Sequence, residues 1–203
     1  MIRFGSGTLP RCPRCAFPLD WCLCALVPVV PTRTRIELVR HVRERNKASN
    51  SGRVAALALP SLTLHEHGAQ GGPPVDLAGL LGPGTALLFP PADDGSSRIA
   101  APEDVQRLVV LDGTWAQARR MARRLPGVFA LPRLVLPMAG SRPRLRTPHL
   151  AQGMATLEAI AAAVAVLEGE ATAAPLRALF DELVLRGLTL RGQAATLLIR
   201  TDP

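Results

Sequence analysis

The stretch Leu108-Val109-Val110-Leu111-Asp112-Gly113-Thr114-Trp115-Ala116-Gln117-Ala118 constrains the fold more than any other part of the chain. Four successive apolar residues read as a strand buried on both faces. An acid closes it, glycine permits a tight turn, and Thr114 is placed to cap a helix that runs to Leu125, where Pro126-Gly127 stops it. A strand that passes straight into a helix in this way belongs to an α/β architecture, and in an open parallel sheet ligands bind outside the C-terminal strand ends. Asp112 therefore stands where chemistry is expected, with Trp115 as a flat wall beside it. The plainer alternative is that Asp112 only caps the helix and Trp115 packs in the core.

The rest of the chain fits this class. Arg35 to His41 sets Ile36, Leu38 and Val39 against Arg35, Glu37 and Arg40, and is expected to be a strand. Asn50 or Ser51 can cap a helix through Val54, Leu57 and Ala58 that ends before Pro60. Further buried strands are expected at Thr85 to Phe89, Arg107 to Leu111 and Leu134 to Leu136, the last closed by Pro137. Helices are expected at Thr156 to Leu167 and from Pro175, in a first-turn position, to about Leu190. Gly68 to Pro74 and Asp93 to Ser97 read as surface loops. His65 and His67 flank Glu66 in a loop-like stretch without a fourth metal ligand, and read as surface residues. The expected fold is thus a parallel sheet with helices on both faces.

All four cysteines fall between positions 12 and 24 of a chain of 203 residues. Cys12-x2-Cys15 followed by Cys22-x-Cys24 places two close pairs across a loop holding Pro13 and Pro18, a spacing that can wrap a tetrahedral zinc ion with four thiolates. Two disulfides are the alternative. No apolar run is long enough to span a bilayer, the longest being Ala159 to Leu167, and the first residues lack a signal-peptide core. A cytoplasmic protein without membrane attachment is expected, and reduced thiols there favour structural zinc. Residues 1–31 are therefore read as a zinc-binding segment with its linker, and 32–203 as the main domain.

Formal net charge is +8, and Lys47 is the one lysine among 24 basic residues. Arginines cluster at Arg40, Arg43 and Arg45, at Arg119, Arg120, Arg123 and Arg124, and at Arg142, Arg144 and Arg146. A guanidinium grips two anionic oxygens at once, so clustered arginine suits phosphate, although base composition of the genome can also enrich it. With 3% aromatics and no tyrosine, RNA would be read through shape and backbone more than through stacking.

Asp112-x-Thr114-Trp115 in the setting LDGTWAQARRM resembles the signature of the DTW-domain proteins, the tRNA-uridine aminocarboxypropyltransferases. The cysteine cluster resembles that family's N-terminal one. His41-x2-Glu44-x2-Lys47-x2-Asn50 resembles its polar stretch after the first strand, with Ala48-Ser49-Asn50-Ser51 where a Thr-Asn-Thr-like string is usual. Met154-Ala155-Thr156-Leu157-Glu158-Ala159 resembles its late Ser-Thr-x-Glu-Ala segment, with alanine at 155 in place of serine. Order and spacing agree from about residue 10 to 190.

The resemblance implies a SPOUT-like fold with a knotted C-terminal region. It implies transfer of the 3-amino-3-carboxypropyl group of S-adenosylmethionine to the imide nitrogen of a tRNA uridine. Asp112 would then be the general base or the group orienting the imide. Leu111, Gly113, Thr114 and Trp115, the loop at Pro90, the turn after Leu136, and Thr156 and Glu158 correspond to the cofactor side. His41, Arg43, Glu44, Lys47, Asn50, Arg119 and Arg123 would line the RNA side, and Arg144 and Arg146 would hold either phosphate or the cofactor's carboxylate. For Glu44 the plainer alternative is a solvated charge paired with Arg40 or Arg43. For Glu158 it is a helix-start acid favoured by the dipole. Two other functions share these features: a SPOUT-type RNA methyltransferase, and a non-catalytic zinc-bearing RNA-binding protein. Monomer and dimer stay open.

Overall fold

The computed structural model describes residues 10–47, 49–72, 75–92, 95–137 and 153–192. Within them lie four strands, β1 (Arg35–His41), β2 (Leu62–His67), β3 (Thr85–Leu88) and β4 (Arg107–Asp112). Four helices accompany them, α1 (Ser51–Ala58), α2 (Trp115–Arg124), α3 (Thr156–Glu168) and α4 (Glu170–Leu190). All three strand pairings are parallel, in the order β2-β1-β4-β3.

Side-chain alternation decides which helix lies where. Ile36, Leu38, Ala86, Leu108 and Val110 point to one face, where they share a core with Val54, Ala55 and Ala58 of α1, the alanine-rich side of α3, and Leu176, Phe180 and Leu183 of α4. Val39, Leu87 and Val109 point to the other face and meet Met121 and Leu125 of α2, together with Leu77 and Val128. Each fully buried Val, Leu, Ile, Phe or Met side chain among these contributes roughly 1.5–3 kcal/mol, so both faces carry weight.

This arrangement creates a switch point. The chain leaves β1 toward α1 on the first face and leaves neighbouring β4 toward α2 on the second, opening the sheet's C-terminal edge between them. Arg40 and Asp112 are register partners at that edge.

Three sequence expectations need correction. Leu62 to His67, which includes the supposed surface loop His65-Glu66-His67, is edge strand β2. Its Leu-Thr-Leu-His alternation is a strand pattern that the polar ending conceals. Leu134–Leu136 is not a strand. Leu134 N donates to the Leu87 carbonyl and Leu87 N to that of Pro132, which makes a single bridge to β3 at Arg133, and Arg133 also bridges Ile99. Finally, α4 begins at Glu170, and Pro175 lies inside it. Gly169, at φ 94, is what separates α3 from α4.

Residues 12–24 dock onto the first core instead of standing apart. Cys15, Phe17 and Leu23 are buried among its side chains. From α4, an Arg186 Nη donates to the carbonyls of Trp21 at 3.1 Å and Cys22 at 2.6 Å.

Candidate active site

Asp112 sits where three elements converge. Its side chain is 4% exposed at the end of β4. Oδ2 accepts from Asn50 Nδ2 at 2.6 Å, and Oδ1 accepts from the Thr156 hydroxyl at 2.6 Å. Asn50 is itself fixed, because its Oδ1 caps α1 by accepting from Arg53 N at 2.7 Å. Thr156 opens α3. The carboxylate thus faces the N-termini of two helices, whose dipoles and free N–H groups favour negative charge. Ser51 Oγ, accepting from Leu157 N at 3.2 Å, ties those two termini together.

Burial is the largest influence on Asp112 and raises its pKa above the usual carboxylate range. The bonds from Thr156 and Asn50 act against it, the nearby Glu44 charge adds to it, and Arg40 opposes it. Gly52 permits this packing. A Cβ there would lie 2.8 Å from Asp112 Oδ2, a contact that only glycine avoids.

Beyond Asp112 the chain turns through Gly113 into α2. Thr114 accepts from Gln117 N while Gln117 Oε1 accepts from Thr114 N at 2.7 Å, a reciprocal cap. Trp115 is half-buried and stacks on Phe89, with centroids 4.9 Å apart and planes 2° from parallel. Phe89 follows β3, next to exposed Pro90.

Other expected cofactor-side residues divide. Thr156 reaches Asp112 directly. Glu158 is buried and turns back on its own helix, accepting from Ala155 N at 3.0 Å. Leu111 points to the second face, away from Asp112, and Leu136 packs against the first core.

The polar stretch after β1 is also divided. His41 and Arg43 remain at the rim, where His41 Nδ1 accepts from Arg43 N at 3.1 Å. Burial, then neighbouring His67 and Arg43, lower the His41 pKa. Glu44 and Asn50, expected to face RNA, are instead buried, and the solvated-charge alternative for Glu44 fails for the same reason. Lys47 Nζ donates to Glu44 Oε1 at 2.5 Å, while Arg40 pairs with Glu66. Charge desolvated at the edge needs local partners, which draws these side chains inward.

Along α2, Arg119, Arg120, Arg123 and Arg124 line an exposed groove of about 330 Å³. A larger cleft of about 860 Å³, between Arg33, Arg35 and Arg107, lies at the opposite, N-terminal edge of the sheet. Arg144 and Arg146 lie outside the described residues.

The four cysteine sulfurs lie within 4.8 Å of one another. Cys12 and Cys24 are 3.6 Å apart, Cys15 and Cys22 3.7 Å. Four thiolates at ~2.3 Å around one tetrahedral ion would stand ~3.8 Å apart, whereas a disulfide needs ~2.05 Å. The donor set therefore fits a metal ion held as a closed four-sulfur site. Backbone N–H groups of Cys15, and then of Arg14, pull the Cys12 thiol down to about 6 against its burial. Burial and the surrounding sulfurs push Cys24 up to about 12.

Residues 9–188 match the DTW domain, taking in the cysteine cluster, the whole sheet and Asp112 to Trp115. The chain belongs to the DTW domain family. It is 25% identical over 198 residues to tRNA-uridine aminocarboxypropyltransferase 2 of Macaca fascicularis. That alignment covers 90% of this chain and 66% of the relative, so the chain spans just under two thirds of the relative's length. Among solved structures, the SAM-dependent rRNA:acp-transferase Tsr3 from Vulcanisaeta distributa aligns with a TM-score of 0.46 at 16% identity, covering 83% of this chain and 84% of that one. In this DTW domain the Asp-x-Thr-Trp segment is the stretch that brings Asp112 and Trp115 to the switch point. Four residues at the site were missed by sequence reasoning: Arg40, Gly52, Glu66 and Phe89. Only Phe89, an aromatic closing a buried run, carried a local signal.

Proposed function

We propose that this DTW domain transfers the 3-amino-3-carboxypropyl group of S-adenosylmethionine to the ring imide nitrogen of a tRNA uridine, releasing methylthioadenosine. Family membership and the relative's activity support the reaction class. The observation that carries it is the placement of Asp112. A carboxylate anchored by Asn50 and Thr156 stands at the switch point, three residues before Trp115, which stacks on Phe89.

When bound, S-adenosylmethionine supplies a sulfonium with electrophilic carbons, and the pocket selects the product by which carbon it presents. The stacked pair offers an apolar shelf on the cofactor side, flanked by Gly113, Thr114 and Pro90. Asp112 accepts two hydrogen bonds, which leaves a lone pair on each oxygen for a uridine imide N–H. Its burial raises its basicity, as accepting that proton requires. With S-adenosylmethionine bound, the imide nitrogen so deprotonated would form the new N–C bond, and the electrons of that carbon's bond to sulfur would leave with methylthioadenosine. His41, Arg43, Arg119 and Arg123, with Arg144 and Arg146, serve the RNA. The four cysteines hold a structural zinc ion, the C-terminal region takes the SPOUT-like knot, and the protein works in the cytoplasm.

The co-product tests the reading. Purified protein given unmodified tRNA and S-adenosylmethionine should release methylthioadenosine, measured by chromatography. Adenosylhomocysteine would instead establish a methyltransferase, and no turnover alongside RNA binding would establish a binding protein.

A further inference from the structure

Arg40 takes no part in the reaction as drawn, yet it lies in the same row as its carboxylate. Even-numbered side chains of β1 and β2 and of β4 share the first face, so Glu66, Arg40 and Asp112 stand side by side across three adjoining strands about 4.8 Å apart. The Arg40 side chain is 7% exposed and pairs with Glu66, and its Nε is buried with no hydrogen-bond partner. Glu66 is shared, since Arg45 Nε also donates to it at 2.9 Å.

We propose that Arg40 is a positioning residue that holds Asp112 in its ionised, doubly hydrogen-bonded form, with Glu66 setting how much of the Arg40 charge reaches it. This rests on the reaction assigned above to Asp112. Three carboxylates, Glu44, Glu66 and Asp112, meet three cations, Arg40, Arg45 and Lys47, in this cluster. Only Arg40 among the cations is both buried and in register with Asp112, because Lys47 is bound to Glu44 and Arg45 stands at the rim. The groups contributed by the two facing helices are Asn50 and Arg53 of the α1 start and Thr156 and Glu158 of α3. Asn50 and Thr156 are neutral donors, Glu158 caps its own helix, and the Arg53 Nη atoms donate to the carbonyls of Pro13 and Arg45. A buried carboxylate with neutral donors alone tends toward protonation, and a neighbouring guanidinium opposes that.

The arrangement makes predictions of opposite sign. Arg40→Met removes the cation and should raise the Asp112 titration midpoint by about 1 pH unit. Glu66→Gln releases Arg40 toward Asp112 and should lower the midpoint, while Arg40→Lys should restore most of the wild-type value. The midpoint is read by carbon-13 NMR of carboxyl-labelled aspartate, with the Asp112 signal identified by its loss in Asp112→Asn. Should Glu66→Gln leave the midpoint in place, or raise it, the proposal is overturned. That arm holds even if Arg40→Met fails to fold. General loosening of the edge would move both variants in the same direction. The titration needs neither RNA nor S-adenosylmethionine, so failure of the transfer reaction would not be confused with failure of this assignment.

Discussion

At the scale of single residues, Asp112 is both a structural tie and a chemical group, and substitutions separate the two roles. Thr156→Ala removes a hydrogen bond to a buried charged acceptor, which is worth about 1.5–3 kcal/mol. The fall in stability should appear as a lower urea midpoint. Gly52→Ala drives a methyl toward Asp112 Oδ2 and should cost about 1–3 kcal/mol with a matching loss of transfer. The pH dependence has a definite sign. Burial raises the folded pKa of Asp112 above its usual 3.8, so in the interval above that value the native state binds more protons than the unfolded chain. The contribution of Asp112 to stability is therefore fully present below 3.8 and is lost as pH rises through the folded value. Urea unfolding of wild type and Asp112→Asn across this interval should show wild type losing ground to the variant as pH increases. A constant difference would contradict the burial argument.

At the scale of elements, α2 carries two i,i+4 arginine pairs, Arg119 with Arg123 and Arg120 with Arg124, which repel along an exposed face. Arg119→Glu converts one pair into an attractive one worth about 0.2–0.5 kcal/mol. The variant should be at least as stable as wild type by thermal melting, yet bind tRNA more weakly and with a shallower salt dependence. Equal RNA affinity would remove α2 from the interface. The cysteine segment makes a separate prediction. Because Cys15, Phe17 and Leu23 are part of the first core, a chelator that removes metal from the four sulfurs should lower the melting temperature without abolishing the proposed binding of S-adenosylmethionine.

The elements also show what a sequence conveys. β1, β4, α1 and α2 were legible because short-range signals, an apolar alternation or a cap, coincide with the tertiary arrangement. Asn50 as a cap could be read from the chain, but its second bond, to Asp112, joins residues 62 positions apart and has no local mark. β2 was obscured because its polar residues are needed there: His65 Nε2 bonds Glu37 at 2.8 Å and Glu66 engages Arg40, so long-range pairing stabilises what composition suggests is a loop. The inward turn of Glu44 has the same origin. Leu134 to Leu136 misled for the opposite reason, since apolar content alone cannot show that the segment meets β3 through a single bridge, at Arg133.

At the scale of the whole molecule, two half-cores on opposite faces of one sheet hold the switch point open between β1 and β4, and the cysteine segment packs against the first core. No helix among the described residues is long and apolar enough to cross a membrane. The formal net charge is +8, and α2 presents Arg119, Arg120, Arg123 and Arg124 on one exposed face, which suits binding of phosphates. The most direct measurement weighs the nucleosides of an unmodified tRNA after incubation with the protein and S-adenosylmethionine. A uridine heavier by one aminocarboxypropyl group is expected, and it should be absent with Asp112→Ala. A uridine of unchanged mass, or one heavier by a methyl group only, would contradict the proposed transfer.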